Sequence, residues 1–466
     1  MAGTFLKGQE KIIPGEYHRY ITDDIQTAGV INGVGAGIIK ADWGPLGEAV
    51  HITDIREADV FGTGQTADLI AEMFAGGIVE GYFVRIGTGG AAPGITIQDD
   101  TAADRLKING AYAGERNFTA SIRDKLDGNG RELIIYDGTQ VYLTVGFPSG
   151  GNEGASLKEA LEAKTKEFTV EDIDLSTDHV LETLTQGALT GGVNPTATVA
   201  SYGDGLDSLE STDFNVLCVD TEDKDVHMLA AAFLERAYDT GAFPMACFAR
   251  TMAMDIDLRM AYAAAFDSAM ITFCLNPGID GKTGDIIDGY HLAARIGGLI
   301  AAVPSNTSIT HTEVPGISDI AETLAPSVVE KALLNGCLVL TKSKAGKPWI
   351  TQGINTLQNL SDEQDSGWKK IRRVKTRFEL MQRIQTSHDD LIGKVDNDKN
   401  GRATLIAAAQ GVINDMIAES KLTAGAIVES AIYKATGASA WFDIAVIDKD
   451  SVEYIYNTYI FNFDTV

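Results

Sequence analysis

The sequence predicts a multidomain protein of mixed α/β and α+β type. An α/β core carries an inserted mostly-β domain, and a C-terminal α+β domain is flanked by extended β-arms at both chain ends. Three observations predict this. Between about 200 and 345, short apolar runs alternate with amphipathic segments, the pattern of buried strands and covering helices. Between about 95 and 192 short β-rich runs take over, and RELIIYDGTQVYLTV places Asp137-Gly138 between two of them, a hairpin signal. After Leu360 a basic amphipathic helix, a polar loop, a second helix and aromatic strands replace the alternation. At ~150 residues per domain, 466 residues accommodate about three domains.

In chain order, residues 1–25 read as an extended arm punctuated by Pro14 and Gly15, with Ile12, Ile13, Tyr17, Tyr20 and Ile21 apolar but without helical spacing. AGVINGVGAGIIKADWGPLGEAVHI reads as a strand, a turn at Asp42 to Pro45, and a second strand; ADLIAEMFAG has helical period and GYFVRIG is a buried strand. Gly-rich linkers at Thr88 to Gly94 and Thr190 to Pro195 bracket the insertion, so the core comprises 26–94 and 193–350 and the inserted domain 95–192. Within the core, strands are expected in STDFNVLCVD, AFPMACFA, AMITFCLN and CLVLTK. Helices are expected in DVHMLAAAFLERAYDT, DLRMAYAAAF, GYHLAARIGGLIAA and APSVVEKALLNG. The C-terminal domain is 351–449: the helix WKKIRRVKTRFELMQRIQ, the loop GKVDNDKNGR, the helix TLIAAAQGVINDMIAE and the strand WFDIAVI. A last strand, SVEYIYNTYIFNF, lies in a terminal arm of residues 450–466.

Composition narrows the function. With 65 acidic against 38 basic residues the formal charge is −27, a field that repels nucleic acid and anionic membranes. Neither a signal-peptide core nor an apolar run of membrane-spanning length is present, which predicts synthesis and initial residence in a cytoplasm. Cys218, Cys247, Cys274 and Cys337 sit in apolar runs without C-x-x-C spacing and read as small hydrophobes in buried strands.

Motifs for catalysis fail on spacing. Gly281-Lys282-Thr283 lacks the glycine five positions ahead that a phosphate-wrapping loop needs; Asn276 stands there, and a tight strand-to-helix turn is the better reading. Gly62, Gly64 and Ala67 form only a loose dinucleotide fingerprint after a weak strand. Asp396, Asp398, Asn400 and Gly401 begin a calcium loop whose twelfth position is Ala407 rather than a bidentate Glu. The seven histidines show no ligand spacing. No catalytic residue, metal site or cofactor is assigned.

Two features remain. Lys369, Lys370, Arg372, Arg373, Lys375, Arg377 and Arg383 fall within one helix, while Ile371, Val374, Phe378, Met381 and Ile384 make its inward stripe. Lys370, Arg373 and Arg377 share a face, which reads as a solvated surface, a nucleic-acid contact opposed by the overall charge, or a dock for an acidic protein. At the C-terminus, Tyr454, Tyr456, Tyr459, Phe461 and Phe463 give a strand that is apolar on both faces. It pairs either within its own subunit or onto a neighbour's sheet edge.

The opening AGTF…IIPGEY, ADWGPLGEAVHIT, ESTDFNVL, LVLTKSKAGKPWITQGINTL, RRVKTRFELMQRI through IGKVDNDKNGR, and the closing WFDIAVIDKDSVEYIYNTYIF together resemble contractile tail sheath proteins. The resemblance is strongest to those of Gram-positive myophages, defective prophages and phage-tail-like bacteriocins, covers nearly the whole chain, and is weakest over 95–192. It implies a structural, non-enzymatic subunit that stacks as six-fold rings around an inner tube. The sheath contracts on a baseplate signal and drives the tube through a cell envelope. It also implies that 95–192 decorates the outside and that a C-terminal-domain helix meets the tube, with Lys369, Lys370, Arg373 and Arg377 as its candidate contacts. The arms, 1–25 and 450–466, would link neighbours by shared sheets. Implied partners are further copies, the tube protein, baseplate and terminator proteins, and neither nucleic acid nor membrane. The implied location is a host cytoplasm during assembly, then a virion tail or released particle. Rival readings are another self-assembling structural protein, and a nucleotide-binding α/β enzyme.

Overall fold

The computed structural model describes residues 32–461, plus the backbone of two short parallel-paired strands, Ala2–Thr4 and Glu16–His18. Ile12, Ile13, Tyr20, Ile21 and Phe463 lie outside the described residues, and Tyr17 is described only as a backbone position in the second short strand.

A seven-stranded sheet organises the core, in the order Cys337–Leu338, Ile271–Cys274, Met245–Ala249, Val216–Val219, Val34–Ile39, Glu80–Arg85, Ala49–Ile52. Every pairing is parallel except that of the edge strand Ala49–Ile52. Its inner strands are apolar without alternation because both faces are covered: Val34–Ile39, Val216–Val219, Met245–Ala249 and Ile271–Cys274 are buried throughout. Helices Val199–Leu209, Lys224–Asp239, Ile256–Ala264 and Pro326–Leu334 contribute to the apolar cluster on one face, and Asp68–Gly76 and Gly289–Ala302 to that on the other. All four cysteines are buried free thiols.

Helix Val199–Leu209 is absent from the sequence-based expectation. The chain starts it with a reciprocal cap between Thr198 and Ser201. Gly205 lets it approach the sheet, since a Cβ there would lie 2.7 Å from Ile86. On the opposite face, Gly76 and Gly298 meet where Asp68–Gly76 crosses Gly289–Ala302, and a Cβ on either would collide with the other helix's backbone. Polar contacts flank that crossing: His291 Nε2 lies 2.8 Å from Asp68, and Arg295 Nε donates to Glu72 at 2.7 Å.

Two antiparallel sheets lie between Gly94 and Ala188. One orders Gln140–Phe147, Arg131–Asp137, Phe118–Asp124 and Leu184–Ala188; the other orders Phe168–Asp172, Asp104–Gly110 and Gly94–Gln98. The expected hairpin is present, with Asp137 paired to Gln140 and Gly138 at φ +56°. Trp43, sent from the turn after the first core strand, is wholly buried in this second core, edge-on to Phe118 at 4.9 Å and Tyr112 at 5.2 Å. Arg85 donates to the carbonyls of Ala41, Gly44 and Ala113, tying the two sheet systems together. The two linkers are not loose: Thr88 bridges Thr196, Ala91 bridges Val193 and Gly94 bridges Thr190, so they run side by side as a ribbon.

C-terminally, a short 3₁₀ turn, Ser366–Lys369, precedes helix Ile371–Asp389; helix Lys399–Ala418 and a hairpin of Leu422–Glu429 with Phe442–Asp448 follow. Leu380, Ile384, Ala409, Ile413, Met416, Leu422 and Ile427 form their shared core. Met381, expected to face inward, is 36% exposed; Leu380 takes the buried place. From Lys449 to Phe461 the chain forms no regular strand among the described residues.

Gly298→Ala forces a Cβ into the Met73 carbonyl, and overpacking of this kind costs about 1–3 kcal/mol. Urea unfolding of Gly298→Ala should show that loss, while Gly411→Ala, whose Cβ meets nothing, should show none.

Candidate assembly surface

The places where an α/β protein would bind a small ligand are filled by its own side chains. In such sheets ligands sit outside the strands' carboxyl ends where the strand order reverses. That point lies between Val34–Ile39 and Val216–Val219, and Asp220 occupies it: its carboxylate accepts from the Lys40 amide at 2.7 Å, Tyr202 Oη at 2.5 Å and the Thr66 hydroxyl. Gly62 and Gly64 wrap the Asp42 carboxylate instead of a phosphate. Gly281-Lys282-Thr283 is a hairpin turn between Gly278–Asp280 and Ile286–Ile287, not the strand-to-helix turn expected. Asp280 Oδ1 accepts from the amides of Lys282 and Thr283 at 2.7 and 3.1 Å, which uses the donors a phosphate would need. Asp398 caps helix Lys399–Ala418 through the amides of Asn400 and Gly401, and Ala407 lies inside that helix. Among the described residues no cluster of His, Cys, Asp or Glu is arranged to hold a metal ion.

The basic stretch is paired internally. Lys369 sits in the 3₁₀ turn rather than the helix, and its ammonium donates to the Gln358 carbonyl at 2.5 Å. Lys370 caps the helix and reaches Asp450 at 2.6 Å and Glu453 at 3.2 Å. Arg373 holds Asp448 through Nη2 at 2.6 Å and Nε at 2.9 Å, and Arg377 donates to the same carboxylate at 3.0 Å. Asp365 bridges both guanidinium groups at 3.1 and 2.8 Å, and Trp368 lies under Arg377 at 4.7 Å. Burial alone would raise the Asp448 pKa, but the hydrogen bonds from Arg373 and Arg377 outweigh it and hold the carboxyl below its usual range. Further along, Arg383 pairs with Glu379 at 2.5 Å and Glu419 at 2.7 Å.

The expected free cationic face is therefore compensated in this subunit, by Asp365 nearby and by Asp448, Asp450 and Glu453 far along the chain. The face does what its spacing suggested, in that Lys370, Arg373 and Arg377 point one way; what they point at is the chain's own end. Arg372 forms no ion pair among the described residues and is only partly exposed.

The consequence is a fixed exit for the C-terminal segment. After Asp448 and Asp450, Glu453 accepts from Thr310 Oγ1 and Gln352 Nε2, both at 3.1 Å, and Gln352 also reaches the Tyr454 hydroxyl at 2.9 Å. Beyond that anchor the aromatic residues are in the open: Tyr454, Tyr456, Tyr459 and Phe461 are 64%, 90%, 75% and 82% exposed, and Val452, Ile455 and Ile460 are exposed with them. Among the described residues Phe442–Asp448 pairs only with Leu422–Glu429, and a groove of about 740 Å³ runs beside it, lined by Trp368, Leu380, Met381, Ile384 and Ile444.

Comparison with known proteins places this arrangement. The sequence profile of the phage tail sheath protein central domain matches residues 196–356. Over those residues the chain is similar to tail sheath proteins. A tail sheath protein of Clostridium phage phiCD119 is 24% identical over 225 residues, which are 48% of this chain and 59% of that relative. The sheath tail protein of Desulfitobacterium hafniense shares the fold at 16% identity and TM-score 0.68, over 93% of this chain and all of its own. The sheath complex of an extracellular contractile injection system, PVC, in its contracted state aligns at 8% identity and TM-score 0.54, covering 97% of this chain and 98% of that one. The relatives are structural tail proteins, not enzymes, and the mixed α/β multidomain architecture is theirs as well. The matched residues take in the strands from Val216–Val219 to Pro348–Ile350, but neither the basic helix nor the C-terminal segment.

Asp448→Asn removes the charge between Arg373 and Arg377 and should cost roughly 1–3 kcal/mol in denaturant unfolding at pH 7. Because the folded carboxyl titrates below its unfolded value, its contribution is complete above the ordinary carboxylate range and is lost as pH falls through the folded pKa. The gap between wild type and variant should accordingly close at strongly acidic pH.

Proposed function

We propose that the chain is the structural subunit of a contractile tail sheath and polymerises through its ends. The observation that carries this reading is the uncovered terminal segment. Seven apolar side chains from Val452 to Phe461 are exposed on a backbone that has no strand partner among the described residues. An apolar patch of that kind, next to unpaired backbone groups, marks an association surface.

Its complement is the free edge of Phe442–Asp448 with the apolar groove beside it. An extended segment added there gains main-chain hydrogen bonds from the edge and seats alternate side chains in the groove. The subunit's own arm leaves in the other direction, past Lys370 toward Gln352 and Thr310, so the occupant is the arm of another copy. The N-terminal arm, residues 1–25, takes part in the same linkage through Ile12, Ile13, Tyr17, Tyr20 and Ile21.

In this reading the subunits form six-fold rings stacked around an inner tube, and the sheath shortens to drive that tube outward; its similarity to a sheath in the contracted state supports that motion. The antiparallel sheets of 95–192 project outward and residues 351–449 face inward. With Lys369, Lys370, Arg373 and Arg377 engaged internally, Arg372 is the cation of this stretch left for an acidic tube. Baseplate and terminator proteins bound the polymer at its ends.

Deleting residues 455–466 leaves Glu453 and Tyr454 in place, and should abolish tubes and rings in negative-stain micrographs while leaving the circular-dichroism spectrum and unfolding midpoint unchanged. Tubes of normal diameter from the truncated chain would contradict the reading.

A further inference from the structure

The helix Ile371–Asp389 is stitched to the core at a second place, and one residue there is out of the ordinary. Lys375 sends its ammonium to the carbonyls of Ile300 and, at 2.5 Å, Val303, the end of helix Gly289–Ala302. Thr376 Oγ1 donates to the Ser305 carbonyl at 2.8 Å, and the Ser305 hydroxyl donates to Glu379. These contacts line one wall of a cleft of about 740 Å³ between the sheet's Asn215 and Met245 end and the C-terminal helices.

Lys375 has no carboxylate of its own. The nearest acid, Glu379, already accepts from Lys421 at 2.6 Å and from Arg383 at 2.5 Å. Glu419 is likewise held by Arg383 and Lys421, at 2.7 and 2.6 Å. The segment from Ile300 to Ser305 offers only neutral groups. An ammonium facing two neutral carbonyls, with Lys421 adding repulsion, is costly to keep charged, although carbonyls at a helix C-terminus attract positive charge.

We propose that Lys375 makes the seam between the parallel-sheet core and the C-terminal helices proton-sensitive, tightening when the amine is neutral and loosening when it takes up a proton. Burial pulls its pKa down from the usual lysine range to about 7, with Lys421 acting the same way and Glu379 against. The sign follows from linkage: above the folded pKa and below the unfolded one, the unfolded chain binds one more proton, so stability rises with pH. This seam lies away from the chain ends, and the inference stands whether or not they join subunits.

The test compares urea unfolding of the full chain and its Lys375→Met variant from pH 6 to 9. The folding constant of wild type relative to the variant should be flat below about pH 7 and rise toward tenfold per pH unit between about 8 and 9. A ratio independent of pH would overturn the proposal. If the variant does not fold, amide exchange in the unaltered chain decides. After correction for intrinsic rates, protection of Ile300 to Ser305 and Lys375 to Glu379 should increase from pH 7 to 9, and constant or falling protection would overturn it.

Discussion

The Asp448 carboxylate, held between Arg373 and Arg377, fixes where the chain leaves the subunit. Everything the C-terminal region presents to the outside depends on that constraint. The hairpin strand Phe442–Asp448 is drawn along the helix by it, Lys370 continues the attachment at Asp450 and Glu453, and Thr310 and Gln352 finish it. Past Tyr454 no hydrogen bond to the rest of the subunit is seen among the described residues, and the apolar side chains there are exposed. Charge in this protein thus acts inwardly: a net −27 keeps free copies apart, while the concentrated cations are reserved for aiming the end of the chain.

The same economy of contact holds the rest of the subunit together. Trp43 and Arg85 reach from the parallel sheet into the antiparallel one, and paired linkers close the gap, so force on either is passed directly to the other. Glycines at the crossing of Asp68–Gly76 and Gly289–Ala302 let two helices pack backbone to backbone on one face.

The parallel sheet was legible because buried strands write unbroken apolar runs and their helices write a period of 3.6. Helix Val199–Leu209 was not, since its Gly205 serves close approach to Ile38 and Ile86 and only the structure reveals that need. The terminal segment was legible as apolar on both faces, but whether it pairs with its own subunit is a question of edges, which sequence does not display. The basic helix was legible as a cluster and misjudged as a free surface: its partners Asp448, Asp450 and Glu453 lie far along the chain, and an ion pair leaves no periodic trace. Met381 and Leu380 exchanged places because a stripe read at three- and four-residue spacing is uncertain by one position where the hairpin covers the helix. Two of the motifs that failed on spacing hold a nearby carboxylate in the fold, Asp42 against Gly62 and Gly64 and Asp280 against the amides of Lys282 and Thr283.

The central claim is that residues 452–461 of one copy complete the sheet of another. An electron cryomicroscopy map of the assembled polymer tests it most directly. The account predicts continuous density for that segment lying along the free edge of a neighbour's Phe442–Asp448, with an aromatic side chain in the groove beside Trp368 and Met381. Density that turns back onto its own subunit, or subunits joined only through the faces of their core helices, would contradict it.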